Sequence, residues 1–263
     1  MNRKHVILFG ATGGIGQKLL GLLLREGYDI TLAVRSIPSA EVIFHHFIAD
    51  TRNSIRLFQV DLADAQSIRD FLLRIEGERM DLLVFASGVR GDNSTNLDFE
   101  INYVAPITIT CVFLRKFPFL TVINVTSGAA FRFRIDSPRE LFHKSNSSFG
   151  GNYAKSKLAL ALASYCLSNE FPDSRIISVD PGSNRTKMTL GNGAPVVLRI
   201  AAKLFFPEPL VGAKRIMKVI TSRDIPSGVH VTAKGKLHDL NPYKNLASYL
   251  TQQIDNGFPY MPV

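Results

Sequence analysis

Short apolar runs of strand length alternate with helix-periodic stretches along this chain. The runs fall at about 5–10, 29–34, 55–60, 81–86, 118–125, 174–180 and 228–232. Between them, apolar residues recur at helical spacing, as in the series Leu19, Leu20, Leu23 and Leu24. Strands that are apolar on both faces and alternate with helices form parallel sheets covered on both sides. The pattern predicts an α/β fold, a doubly wound parallel sheet of about seven strands with helices on both faces.

The rest of the sequence indicates one domain, 1–263. No repeat, low-complexity tract or Gly/Ser linker divides it. No apolar run reaches about 18 residues without a charge, so no transmembrane helix is expected. Cys111 and Cys166 are predicted to be buried thiols in a reducing, cytoplasmic compartment. The six histidines show no ligand spacing with cysteines or carboxylates, so no metal site is predicted.

The net charge of +9, from 31 Lys+Arg against 22 Asp+Glu, is compatible with nucleic acid, an anionic membrane or a phosphate-rich small ligand. The basic residues are scattered, without the dense runs and interleaved aromatic residues of a nucleic-acid module. We therefore expect no nucleic-acid partner. A small phosphorylated ligand remains as an explanation of the positive net charge, and the motifs test it.

A glycine loop follows the first strand. The segment Gly10-Ala11-Thr12-Gly13-Gly14-Ile15-Gly16 leads directly into a helix that begins near Gln17. Glycines allow the backbone to turn tightly and approach a pyrophosphate, while the helix N-terminus attracts the anion. The spacing differs from Gly-x-Gly-x-x-Gly, and a tight turn without a ligand is the alternative. Its place after the first strand favours a Rossmann-like dinucleotide site.

The second strand ends at Arg35 and Ser36, where dinucleotide folds contact the adenosine ribose. An acidic residue there would bind both ribose hydroxyls and repel a 2′-phosphate. Arg35 can instead pair with that phosphate through charge-assisted hydrogen bonds. NADP(H) is therefore favoured over NAD(H), the alternative being a solvent-facing surface arginine.

Tyr153 and Lys157 are a candidate acid–base pair. They lie four residues apart, on one face of a predicted helix. A free tyrosine titrates at about pH 10, and a neighbouring ammonium group lowers that pKa. The pair alone is weak support, because a chain with seven tyrosines often contains one by chance. Ser127 ends a strand at the sheet edge where ligands bind, and its alternative role is that of a turn residue. Asn102 lies early in the helix that follows the fourth strand, and its alternative role is that of a helix surface or cap residue.

In their order along the chain, these motifs resemble those of the classical short-chain dehydrogenase/reductase family. The resemblance covers nearly the whole chain. It rests on the glycine loop, Asp61-Leu62, Ser87-Gly88, Asn102, Ser127, the Tyr153/Lys157 pair, and Pro181-Gly182 with Thr186.

The resemblance implies four catalytic residues. Tyr153 would be the general acid in reduction and the base in oxidation, and Lys157 would hold the nicotinamide ribose and lower the pKa of the tyrosine. Ser127 would hydrogen-bond the substrate oxygen. Asn102 would hold a helix kink and a water leading to Lys157.

The resemblance also implies the cofactor contacts. Asp61 would receive the adenine amine, and the segment after the sixth strand would seat the nicotinamide. The full predicted set is Gly10, Thr12, Gly13, Gly14, Ile15, Gly16, Arg35, Ser36, Asp61, Leu62, Ala86, Ser87, Gly88, Tyr153, Lys157, Pro181, Gly182, Asn184 and Thr186. A homodimer or homotetramer is compatible with the family.

The chain departs from the family pattern at several positions. Phe85-Ala86-Ser87-Gly88 stands where the family has Asn-Asn-Ala-Gly, Phe9 replaces a usual Thr, and Pro106 a usual Gly. These changes put the local geometry in doubt more than the catalysis. The separation of 26 residues between Ser127 and Tyr153 is longer than usual and resembles the branch containing retinol dehydrogenases and protochlorophyllide reductases.

The segment at about 186–210 is predicted to be a substrate lid. Within it, Pro195 to Phe206 carries an apolar stripe with Arg199 and Lys203 four residues apart. An apolar lid indicates a lipophilic carbonyl or alcohol substrate. The same stripe can dock on a membrane surface, which we do not favour because the segment follows the nicotinamide-contacting residues.

Two alternatives to this enzyme remain. One is a redox-silent NADP(H)-binding regulator, which the loss of the asparagines would permit. The other is a sugar-nucleotide epimerase or dehydratase of related fold, which usually adds a substantial C-terminal domain. After Val231 we expect little beyond a helix at about 242–254.

Overall fold

The structure is a computed structural model that describes residues 3–49, 55–75, 79–90, 96–132, 135, 137–142, 151–191 and 194–255. Residues 192 and 193 of the predicted lid lie outside the described residues. All seven predicted strand positions are confirmed. The strands are β1 (His5–Phe9), β2 (Asp29–Val34), β3 (Ile55–Gln59), β4 (Leu82–Phe85), β5 (Thr121–Val125), β6 (Arg175–Val179), β7 (His230–Val231) and β8 (Leu237–His238).

The strands form one sheet in the order β3-β2-β1-β4-β5-β6-β7-β8. Strands β1 to β7 are parallel, and β8 pairs antiparallel with β7. The prediction of about seven strands missed β8, which is only two residues long. The order reverses between β1 and β4, which creates the crevice where open α/β sheets bind ligands.

Helices cover both faces of the sheet. They are α1 (Gly14–Arg25), α2 (Ile37–Ile48), α3 (Ala65–Arg74), α4 (Leu97–Phe99), α5 (Ala105–Lys116), α6 (Pro138–Phe142), α7 (Gly151–Glu170), α8 (Lys187–Leu190), α9 (Val196–Phe205), α10 (Pro209–Thr221) and α11 (Lys244–Asp255). The helices predicted from Pro195 and at about 242–254 correspond to α9 and α11. At α6, Ser137 Oγ accepts a hydrogen bond of 3.3 Å from the backbone N–H of Glu140, as an N-cap does.

The alternation of side chains along β1 shows why the strands are apolar throughout. Ile7 and Phe9 join one hydrophobic cluster with residues of α3, α5, α7 and α11. Val6 and Leu8 point to the opposite face and join a second cluster with α1, α2 and α10. Successive side chains of a strand point to opposite faces, so a strand covered on both sides needs apolar residues at every position.

The predicted helix around Asn102 contains a π-turn. α4 continues through the π-turn Glu100–Val104 into α5, and Pro106 lies at the beginning of α5. Over Leu97–Lys116 this helix is long and apolar enough to cross a membrane, but 67% of its most apolar stretch is buried. It contacts α3 and α7, so we interpret it as a core helix. Single π-turns inside helices are frequent at functional sites.

Two of the departures from the family pattern meet in this structure. Phe9 and Phe85 are register partners on the neighbouring strands β1 and β4. Their rings are stacked, with centroids 4.6 Å apart and an interplanar angle of 16°. Phe71 of α3 packs edge-on against Phe9 at 5.5 Å. An aromatic pair therefore links the two strands at the place where the family pattern has polar residues.

We predict that the Phe9–Phe85 stack contributes a measurable coupling energy. In a double-mutant cycle with Phe9→Leu and Phe85→Leu, urea unfolding should give a coupling of about 0.5–1.5 kcal/mol. Pairing Phe9→Leu with Phe44→Leu, which lies in the cluster on the other face, should be additive within about 0.5 kcal/mol. Additivity in both cycles would contradict this prediction.

Candidate active site

A cavity of about 1510 Å³ opens at the carboxyl edge of the parallel strands. Its lining comes from the loops that follow β1, β4, β5 and β6, from the beginning of α7, and from α8 and α9. The cavity therefore lies at the strand-order reversal, where the fold places ligands. It brings together Ser127, Tyr153 and Lys157, which the sequence separates by up to 30 residues.

The glycine loop leaves no space for side chains. Gly10 has a φ of 79°, and a Cβ on it would overlap the backbone of Ala86 and Ser87. A Cβ on Gly16 would overlap the carbonyl oxygen of Gly10. At both positions glycine is therefore required for the close approach of backbones.

The same loop presents a helix N-terminus to the cavity. Gly13 is the N-cap of α1 and provides no side-chain cap, and the first turn of α1 contains no acidic residue. Thr12, Gly13, Gly14, Ile15 and Gly16 all line the cavity. Uncapped N–H groups and the positive end of the helix dipole suit a pyrophosphate.

The predicted adenosine contacts lie at the ends of the neighbouring strands, outside the cavity lining. Arg35 is exposed at the end of β2, and Ser36 caps α2 by accepting a hydrogen bond of 3.4 Å from Ser39 N–H. Asp61 follows β3 closely, and its Oδ1 accepts a hydrogen bond of 2.9 Å from Ala63 N–H. Leu62 is half-buried beside it. These four residues follow β2 and β3, the strands beside β1 in the sheet, and their contact with an adenosine stays a prediction.

Tyr153 is buried at the beginning of α7 and shares a side-chain hydrogen bond with Ser127. Ser127 lies two residues after the end of β5. Burial raises the pKa of the Tyr153 hydroxyl above its ordinary value of 10.0, while the Ser127 hydrogen bond and the nearby positive charge of Arg90 lower it. The net shift is upward. The phenol is therefore protonated at neutral pH in the protein without a ligand.

Lys157 is held one turn further along α7. Its Nζ donates hydrogen bonds of 3.1 Å to the Ser87 carbonyl oxygen and 2.9 Å to the Val125 carbonyl oxygen. Burial lowers the pKa of Lys157 to about 7, against a smaller upward effect of the Asp98 charge. The lysine is thus tied to the loops after β4 and β5 and carries only part of a charge near neutral pH.

Asn102, in the π-turn, clamps the loop that follows β4. Its Oδ1 accepts a hydrogen bond of 2.9 Å from Val89 N–H, and its Nδ2 donates one of 2.8 Å to the Val89 carbonyl oxygen. Nδ2 also lies 3.1 Å from Ser156 Oγ, next to Lys157 in sequence. Asn102 therefore lies at a distorted helical turn, as predicted for a kink. The water relay to Lys157 stays a prediction.

The residues predicted to seat a nicotinamide lie beside the cavity and are held by hydrogen bonds. Gly182 has a φ of 77° and donates its N–H to Asp180 Oδ1 at 2.8 Å. Asn184 Nδ2 donates to the carbonyl oxygens of Pro181 and Gly182 at 3.1 and 2.7 Å. Thr186 is the N-cap of α8. The cavity lining includes all four of the predicted residues from Pro181 to Thr186.

The residues present fit a dinucleotide. In the glycine cradle, Gly10 and Gly16 admit no Cβ because other backbone lies against them, and the tight turn that they allow places the uncapped N-terminus of α1 in the cavity lining, where it suits a pyrophosphate. Ser87 Oγ is buried beside this cradle and has no hydrogen-bond partner in the described part of the chain. A buried hydroxyl without a partner is costly, so it is a candidate ligand contact.

Two charged lining residues that act on Tyr153 were missed in the sequence. Arg90 lies in the cavity lining with its Cζ 5.1 Å from the centroid of the Tyr153 ring. Asp180 is buried in the lining, and its negative charge raises the pKa of Tyr153. Asp180 had a signal, since it directly precedes the Pro181-Gly182 motif; Arg90 had none beyond its place two residues after Gly88.

The predicted lid segment borders the cavity mouth. Leu198 and Ala201 of α9 line the cavity, and Ala202 packs into the protein. The other side of α9 faces outward, with Leu204 67% and Phe205 78% exposed. The helix is therefore apolar towards both the cavity and the exterior. Among the described residues, no group of three or more His, Cys, Asp or Glu side chains is arranged to hold a metal ion.

We predict that Gly16→Ala disrupts the anion cradle, because its Cβ would overlap the Gly10 carbonyl oxygen. NADPH affinity, measured by calorimetry, should fall at least about tenfold. Gly21→Ala in the same helix is the control, since its Cβ would only reach ordinary contact, 3.8 Å from Phe47. That variant should bind NADPH normally and be up to about 1 kcal/mol more stable. Equal NADPH affinity in the two variants would contradict the assignment.

Comparisons with known proteins agree with the motifs. The family model described as short chain dehydrogenase matches residues 4–194. Mouse (Mus musculus) retinol dehydrogenase 13 is 29% identical over 199 residues, covering 70% of this chain and 60% of that protein. The chain thus spans less than two-thirds of that relative's length.

Solved structures share the fold at low identity. A short-chain dehydrogenase from Sphingobium yanoikuyae in complex with NADPH superposes with a TM-score of 0.70 at 16% identity, covering 99% of this chain and 98% of that one. 4-Hydroxyisoleucine dehydrogenase complexed with NADH gives a TM-score of 0.70 at 18% identity, covering 89% and 98%. These two proteins differ in cofactor, so the likeness is one of fold. With the family match spanning most of the sequence, the chain belongs to the short-chain dehydrogenase family, and both its motifs and its curated relatives are similar to the retinol dehydrogenase branch.

Proposed function

We propose that the protein is an NADP(H)-dependent oxidoreductase that interconverts a lipophilic carbonyl compound and its alcohol. The observation that carries this proposal is the buried Tyr153 hydroxyl, hydrogen-bonded with Ser127 in a cavity next to an anion-binding helix N-terminus. An acid–base group beside a nucleotide cradle suits proton transfer coupled to hydride transfer. A bound nicotinamide would supply or accept the hydride.

Each residue then has a defined task in reduction. The phenol of Tyr153 donates its proton to the substrate oxygen as that oxygen gains charge, and in oxidation it takes the proton back. Ser127 Oγ orients the same oxygen by a hydrogen bond. Lys157 would hold the hydroxyls of the nicotinamide ribose, while the carbonyl oxygens of Ser87 and Val125 fix its Nζ. Because burial raises the pKa of Tyr153, the phenol carries its proton at neutral pH, as reduction requires.

The proposed substrate follows from the cavity mouth and from a relative. Leu198 and Ala201 give the mouth an apolar wall, and apolar walls with few polar groups bind apolar compounds. The name of the mouse relative, a retinol dehydrogenase, describes a protein acting on a lipophilic alcohol. We therefore propose a lipophilic aldehyde, ketone or alcohol, with α9 as its lid, in a cytoplasmic protein.

Replacing Tyr153 tests the proposal directly. With NADPH and a panel of lipophilic aldehydes and ketones, Tyr153→Phe should lower kcat by about 10²- to 10⁴-fold, because a phenyl ring carries no proton to donate. NADPH affinity should change by no more than about threefold. Tyr165→Phe, on the same helix and outside the cavity lining, is the matched control and should keep full activity.

Two outcomes would contradict this function. Turnover by Tyr153→Phe above about a tenth of that of the unmodified protein would remove the tyrosine from the chemistry. NADPH binding without turnover of any carbonyl substrate would favour the redox-silent regulator instead.

Cofactor choice is tested at Arg35. If Arg35 pairs with the 2′-phosphate, Arg35→Gln should weaken NADPH binding by about 10- to 100-fold, the loss expected for charge-assisted hydrogen bonds. NADH binding should stay the same. Arg25→Gln removes an exposed positive charge at the far end of α1 and should affect neither cofactor. Calorimetric titration of each variant with both cofactors measures this. Equal losses for NADPH and NADH would contradict the NADP(H) preference.

A further inference from the structure

Arg90 lies over the face of the tyrosine that the proposed function uses. Its Cζ is 5.1 Å from the centroid of the Tyr153 ring, and the arginine belongs to the cavity lining. Its Nε and Nη1 atoms are buried. A guanidinium at this distance from an aromatic face makes a cation–π contact, which is stronger where water is excluded.

The backbone that carries Arg90 is held, through Asn102, by the helix that also carries Tyr153. The preceding residue, Val89, has both its N–H and its carbonyl oxygen bound by the Asn102 amide. Asn102 in turn contacts Ser156, three residues after Tyr153 on α7, and Ser156 Oγ donates to the Tyr153 carbonyl oxygen. This chain of contacts places the arginine backbone at a set distance from the tyrosine.

Several groups face the Tyr153 hydroxyl, and their charges depend on pH to different extents. Ser127 shares a hydrogen bond with it, and the negative charges of Asp180 and Asp98 oppose its ionisation. Lys157 is partly neutral near pH 7 because burial lowers its pKa to about 7. Arg90 contributes a guanidinium, a group that is not deprotonated in proteins. Arg90 is therefore the one permanent cation that acts on Tyr153 among the residues described here.

We propose that Arg90 is a positioning residue for the acid–base step: its guanidinium holds the Tyr153 ring and stabilises the phenolate. This inference rests on the proposed function, in which Tyr153 exchanges the proton. A cation over the ring interacts more strongly with the phenolate than with the phenol. Arg90 thus determines the pH at which Tyr153 changes from donor to acceptor.

The direction of the effect on activity follows. Without the Arg90 charge, the pKa of Tyr153 rises. Reduction needs the phenol, so the decline of the reduction rate at alkaline pH moves to higher pH. Oxidation needs the phenolate, so the rise of the oxidation rate with pH also moves to higher pH. Oxidation at neutral pH therefore slows. A residue that served only to pack the loop would lower rates without moving either pH profile.

The ionisation of Tyr153 can be measured without turnover. The chain has seven tyrosines, so incorporation of 3-fluorotyrosine gives a small set of ¹⁹F NMR resonances, and Tyr153→Phe identifies the one from position 153. In Arg90→Gln, the midpoint of that resonance should move up by about 1 pH unit or more, as for loss of an adjacent opposite charge. Arg90→Lys keeps a positive charge without the planar guanidinium and should give an intermediate midpoint.

Arg132→Gln is the matched control, because Arg132 is an exposed arginine of the same cavity lining. Its midpoint should stay within about 0.3 pH unit of the unmodified protein. The oxidation profile of Arg90→Gln should shift with its NMR midpoint. An unchanged midpoint in Arg90→Gln overturns the inference, even if activity falls. A shifted midpoint in a protein that turns over no substrate would support Arg90 while removing the proposed function, so the two failures are distinguishable.

Discussion

The close approach of the Gly10 backbone to the backbone of Ala86 and Ser87 is the constraint on which the site depends. It joins the loops that follow β1 and β4 at the point where the strand order reverses. The Ser87 carbonyl oxygen then accepts a hydrogen bond from Lys157, and Lys157 lies one turn from Tyr153 on α7. The glycine that makes room for the loop after β4 therefore also fixes the backbone that anchors the lysine.

Sequence patterns predicted the parts of the fold that repeat. The seven strands and the helices α9 and α11 follow from apolar periodicity, which depends on local sequence. β8 was missed because Leu237 lies between Lys236 and His238-Asp239 and belongs to no apolar run. Arg90 was missed for a different reason. Its contact with Tyr153 depends on the Asn102 clamp on Val89, a pairing between residues 13 apart that no local pattern encodes.

The departures at Phe9 and Phe85 show how a family comparison made one residue at a time can mislead. Taken singly, each replacement of a polar residue put the local geometry in doubt. The two positions are register partners, their rings stack on each other, and Phe71 packs edge-on against Phe9 in the core. Lost hydrogen bonds between strands are thus accompanied by buried aromatic contact, and the loop after β4 begins from a rigid position. Ser87, Gly88 and Arg90 all belong to that loop.

In the proposed function, chemistry and substrate choice depend on different parts of this chain. Lys157 is tied to backbone atoms at the ends of β4 and β5, and Tyr153 lies one turn away on the same helix. α9 instead has one fully buried residue, Ala202, and touches the cavity through side chains such as Leu198. Its residues can change without disturbing the acid–base group. Because its outer face is also apolar, any partner that covers that face would act on the cavity mouth directly, and through it on which substrates reach Tyr153.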